Sequence, residues 1–112
     1  MTIVHFFPLL IGGILLITGS IQLFFPPKKI NALYGYRSKR SMKNNENWNI
    51  AQSFSAKQLL LIGLVQILIS PVGYLIGIQE DQQVWMYMVT MILGFIILII
   101  RTERLLKKND NV

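Results

Sequence analysis

The chain has 112 residues, 53% of them hydrophobic and only 14% charged, with a formal net charge of +6 and no cysteine. Soluble domains carry about 25% charged residues, so one small domain with a mean hydropathy of +0.49 reads as an integral membrane protein. Without cysteine, disulfide and thiolate chemistry are excluded.

The positive charge could suggest nucleic acid, but its distribution argues against that partner. Lys28, Lys29, Arg37, Lys39, Arg40, Lys43 and Lys57 fall in residues 26–58, against the single acid Glu46. Arg101, Arg104, Lys107 and Lys108 fall in the tail 101–112, with Glu103 and Asp110. The connection between the second and third apolar runs carries only Glu80 and Asp81. Basic residues sorted by segment are what the positive-inside rule produces.

The first apolar run covers about residues 3–25 and contains His5, Thr18, Ser20 and Gln22 as its polar residues. At ~1.5 Å per residue such a run crosses a hydrocarbon core of ~30 Å. A cleaved signal peptide would need a cationic start and a small-x-small site. No Lys or Arg precedes this run and it ends in FFPPKK, so it is expected to remain as a span. Pro26 and Pro27 stop the helix, because proline lacks a donor and clashes with the preceding turn. His5, alone near the outer surface, reads as interfacial.

The second run covers about residues 59–78. The polar stretch ENWNIAQSFSAKQ before it is helix-compatible, with Asn44 or Asn45 as a candidate N-cap. One long helix from about Glu46 to Gly77 is expected, its first three turns in water or among headgroups. Pro71, after Ser70, is expected to bend its outer half. The third run, about residues 84–100, continues into RTERLLKK and out of the bilayer. Trp85 and Tyr87 read as an outer aromatic belt. The fold class is therefore all-α integral membrane, with three spans, the amino terminus outside and the carboxy terminus inside. Loop and helix extension 26–58 and tail 101–112 are then cytoplasmic.

No Asp, Glu, Lys or Arg lies within the apolar runs, which argues against an ion-coupled exporter. Gln22 and Gln66 are placed to make interhelical hydrogen bonds, worth about 0.6–2 kcal/mol in lipid; satisfying a neighbour is preferred over a substrate role. Gly73 and Gly77 form a G-x-x-x-G pair. It permits a homo-oligomer, with packing inside one chain the preferred reading, as for Gly12, Gly13 and Gly19.

The loop NALYGYRSKRSMKNNENW is too polar for a core and too aromatic for a tether. Its lysines are explained by orientation and by anionic headgroups, at about 1 kcal/mol per basic side chain near the surface. Asn31, Tyr34, Gly35, Tyr36, Asn45 and Trp48 need another explanation. Gly35 between two tyrosines suggests positive φ or close backbone approach. Arg37 can grip a phosphate or carboxylate with two parallel bonds; capping a helix end or pairing with Glu46 is the structural alternative. Trp48 is placed to anchor the loop. The reading is a folded interfacial cap whose candidate ligand- or partner-binding residues are Asn31, Tyr34, Gly35, Tyr36, Arg37, Ser41, Asn45 and Trp48. No metal ligand set, cofactor motif or nucleophile with its base is present, so no enzyme is expected.

These residues resemble the SdpI family of bacterial membrane proteins. The matching features are Pro27 to Asn31, Gly35-Tyr36-Arg37-Ser38, Ser41, Asn44 or Asn45, and Trp48 with Ala51, set between the flanking apolar runs over roughly residues 20–100. The resemblance implies a multi-pass protein of the bacterial cytoplasmic membrane. The family's namesake protects a producing cell from its own membrane-active toxin peptide and signals through a membrane-held repressor. For this single-module chain the resemblance implies envelope protection or peptide-toxin immunity, with a peptide toxin or a regulatory membrane protein as partner. A holin-like pore former is the alternative that size, three spans and a basic tail allow.

Overall fold

A computed structural model describes residues 6–110. They form three helices and no strand: α1 (Phe6–Phe24), α2 (Asn45–Leu75) and α3 (Glu80–Asp110). Each is long and apolar enough to cross a membrane. His5 and the first residues of the expected first span lie outside the described residues.

Local chemistry explains each boundary. The chain leaves α1 just before Pro26 and Pro27, which cannot continue it. Asn44 caps α2 from an extended backbone, its Oδ1 accepting from Asn47 N at 2.7 Å. Glu46 in the first turn complements the helix dipole. The helix runs on through Pro71 to Leu75.

Beyond Leu75 the chain forms a Schellman end. Gly77 has φ +73°, its N–H donates to Tyr74 O, and Ile78 N–H donates to Gly73 O. Packing inside the chain, the preferred reading of the G-x-x-x-G pair, therefore holds for one glycine of the two. Only Gly73 packs, against Gln83 of α3, while a Cβ on Gly77 would meet nothing within 4 Å. Gln83 closes the hairpin by donating to Gly73 O at 3.3 Å and Ile78 O at 2.6 Å.

Helix α2 lies in the middle, antiparallel to both neighbours, and α1 and α3 barely touch. Helix α1 approaches through glycine: a Cβ on Gly12 would lie 2.7 Å from Gly63 O, and one on Gly19 would lie 3.1 Å from Ala56 O. On the other side Gly94 receives Ile62, and Gln66 Nε2 donates to Thr90 Oγ1 at 3.1 Å. Gln22 Nε2 donates across the first interface to Gln52 O at 2.9 Å and Ser55 Oγ at 2.7 Å. Both membrane glutamines thus join neighbouring helices.

The interior is rich in polar side chains and the exterior is apolar. Gln22, Gln52, Ser55, Gln66, Ser70, Gln83 and Thr102 are buried, whereas Leu10, Ile17, Leu68, Ile92 and Ile97 are exposed. Lipid tails are as apolar as leucine, so burying leucine gains little there and hydrogen bonding between helices gains more. Trp85 stays on the outside, 67% exposed. Tyr87 does not join it: at 4% exposure it points inward and donates to Ser70 O at 3.1 Å. Two residues along a helix are about 200° apart, so the two aromatics cannot share one belt.

The 31-residue helices α2 and α3 are each about 46 Å long against a hydrocarbon core of ~30 Å. Helix α1, with 19 residues, is about 28 Å. Both long helices therefore outreach α1 at the end where residues 25–44 cross. That end gathers the basic residues of loop and tail; Glu80 and Asp81 lie at the other.

Gly12→Leu should lower thermal stability by about 1–3 kcal/mol through overpacking, since its side chain would collide with Ile67 and Gly63 O, whereas Gly13→Leu faces open space. Melting curves in the same detergent compare the two. Equal losses would mean that the α1–α2 contact is not as close as described.

Candidate functional site

One side chain of α2 holds the middle of the loop. Gln52, fully buried, accepts Tyr36 N–H with Oε1 at 2.7 Å and donates Nε2 to Tyr36 O at 2.7 Å. This pairs residue 36 as a neighbouring strand would. The α2 backbone at Gln52 is itself tied to α1, because Gln22 donates to the main-chain carbonyl of Gln52 and to Ser55 Oγ.

Most of the sequence-selected residues shape this loop. Asn31 Oδ1 accepts from Leu33 N and Tyr34 N while its Nδ2 donates to Lys29 O, a side-chain turn. Tyr34 Oη donates to Phe25 O at 2.9 Å, serving the end of α1. Trp48 is wholly buried and donates Nε1 to Pro27 O at 2.7 Å. Gly35 has φ +100°, and a Cβ there would run into Gln52 Oε1 and lie 2.8 Å from Pro27 Cγ. Ser41 ties a turn, accepting Ser38 N with Oγ at 2.7 Å. Asn45 stays exposed at the start of α2, the capping falling to Asn44.

The third helix supplies two acids from the tail of the sequence. Glu103 Oε2 accepts from Tyr36 Oη at 3.3 Å and from Ser38 Oγ at 3.0 Å. Burial first, and the neighbouring Glu103 carboxylate second, push the Tyr36 phenol up to about 12. Asp110 accepts from buried Asn47 at 2.8 Å and pairs with Arg40 at 3.6 Å and Lys43 at 3.7 Å. Asn47 also donates to Arg40 O.

A periodic signal could have found part of this set. Asn47/Trp48, Ala51/Gln52 and Ser55/Ala56 recur every four residues and form the buried stripe of α2. Glu103 and Asp110 had no such signal, since only the fold brings them beside residues more than sixty positions away.

Arg37 differs from the rest. It is exposed and makes no hydrogen bond or ion pair with any described residue, Glu46 included. It stands at the mouth of a cleft of about 390 Å³ between α1 and α3, with Tyr36, Ser38 and Glu103 at the polar end and Leu59, Phe95 and Leu98 below. Such a place can receive an anionic group. Among the described residues no three His, Cys, Asp or Glu gather as a metal site would need.

Gly35→Val should lower accumulation in the membrane severalfold, since a β-branched residue resists positive φ and its Cβ would dislodge Gln52. Lys39→Ala, at an exposed position, should accumulate normally. Immunoblots of membrane fractions compare them, and equal tolerance would reduce the loop to a charged tether.

Comparison with known proteins gives the family. Residues 28–102 match the SdpI/YfhL protein family. The chain is 38% identical over 96 residues to the protein YfhL of Bacillus subtilis (strain 168), which covers 86% of this chain and 82% of that one. No solved structure matches it. With the family matched over two-thirds of its length, the loop included, this multi-pass membrane chain belongs to the SdpI/YfhL protein family.

Proposed function

We propose that the protein sits in the bacterial cytoplasmic membrane and protects the envelope against a membrane-active peptide, without catalysing a reaction. In this reading the carboxy terminus and the loop 25–44 face the cytoplasm as an interfacial cap, and the Glu80–Asp81 turn faces outward. The separation of basic and acidic ends supports that orientation. Family kinship supports the protective role.

One observation carries the proposal. The uncharged polar side chains of the loop are committed to fixing its backbone, and of the loop cations without a described partner (Lys28, Lys29, Arg37 and Lys39) Arg37 is the one that lines this cleft. An orientation signal needs only charge, whereas a fixed backbone presenting one guanidinium is built for contact. Anionic headgroups, the peptide itself or a regulatory membrane protein are the candidate contacts.

Arg37→Lys keeps the charge but loses the planar fork. In a strain whose fusions report Val112 inside and Gln82 outside, we expect it to lose most protection, about tenfold in the inhibitory peptide concentration, at unchanged abundance. Full protection at normal abundance would remove Arg37 from the site. Loss of protection together with abundance would make it structural. Abrupt permeabilisation on induced expression would favour a holin-like pore instead.

A further inference from the structure

We infer that the cleft beside Arg37 holds a phospholipid whose headgroup carries both a phosphate and a primary ammonium. The inference rests on Arg37 facing a ligand, as proposed above, and names the ligand's chemistry.

The cleft has the polarity of a lipid at its interface. Arg37, Ser38 and Glu103 lie beyond the end of the apolar run at Ile100, while Phe95, Leu98 and Ile99 line the part at membrane depth. Because α1 and α3 barely touch, the cleft can open sideways to the bilayer. A volume of about 390 Å³ suits a headgroup and the first part of an acyl chain.

Charge selects the headgroup. Arg37 has no partner among the described residues, and Glu103 binds Tyr36 and Ser38 through Oε2 alone, leaving Oε1 free. Arg37 and Glu103 do not pair with each other. A simple anion placed here would meet the Glu103 carboxylate, and a simple cation would meet Arg37. A phosphate followed by an ammonium satisfies both. Glu103 Oε1 can accept only from a nitrogen that bears hydrogen, which a quaternary ammonium lacks. Phosphatidylethanolamine fits; phosphatidylcholine lacks the donor and phosphatidylglycerol lacks the cation.

The test uses full-length protein in nanodiscs of equal phosphatidylethanolamine, phosphatidylcholine and phosphatidylglycerol. Lipid retained on gentle extraction is counted by native mass spectrometry. Phosphatidylethanolamine should be retained about tenfold over the other two. Arg37→Gln, at an exposed and unpaired position, should lower that retention about tenfold without changing the melting temperature. Glu103→Gln should erase the preference over phosphatidylcholine. Should Glu103→Gln fail to fold through its contacts with Tyr36 and Ser38, Ile99→Trp, which fills the apolar part from an exposed position, should displace the lipid instead. Equal retention of the three lipids, a preference for phosphatidylglycerol, or variants that retain lipid as the wild type does would each overturn the inference. Retention is read without any protection assay. Absent selectivity with intact peptide protection overturns the lipid alone, and selectivity without protection overturns the protective role alone.

Discussion

A single carboxamide holds the middle of the loop in place. Gln52 closes two hydrogen bonds on the backbone of Tyr36, and Gln22 of α1 donates in turn to the main-chain carbonyl of Gln52. A buried polar group left without a partner costs about 1–3 kcal/mol, so the loop and the helices are bound to one another's geometry. Gly35 is required beside this amide because any Cβ would displace it. Trp48 secures the entry of the loop at Pro27, and Glu103 secures its exit through Tyr36 and Ser38. The position of Arg37 follows from residue 36 being fixed.

The surrounding lipid explains why polar side chains carry so much of the architecture. In water, α2 would bury its leucines and expose its glutamines. Here Leu61, Leu64 and Leu68 face outward while Gln52, Gln58 and Gln66 face in. Close backbone approach at Gly12 and Gly63 adds dispersion contacts that leucine against leucine would not supply.

Three spans, the long polar start of α2 and the continuation of α3 were legible in the sequence, because hydrophobic run length and proline position act locally. The positive φ of Gly35 and the hold of Trp48 on the loop were legible too, and so was the family. The roles of Gly77 and Tyr87 were not. Spacing alone cannot distinguish a packing glycine from one that ends a helix, nor an interfacial tyrosine from one that reaches a carbonyl across the bundle. Glu103 and Asp110 looked like tail charges until the fold set them against residues 36–47. Gln52 is hidden differently, as one polar residue among many in the stretch before the second apolar run.

The central claim is that the Gln52 amide holds the middle of the loop, and hydrogen exchange at the Tyr36 amide tests it most directly. This N–H belongs to an irregular segment, yet its acceptor is a fully buried side chain. Exchange of the wild type and of Gln52→Leu is to be compared in the same nanodiscs. The amide should be protected in the wild type and exchange at least about tenfold faster in the variant, with the amides of the three spans unchanged. Equal exchange in the two proteins would contradict the account.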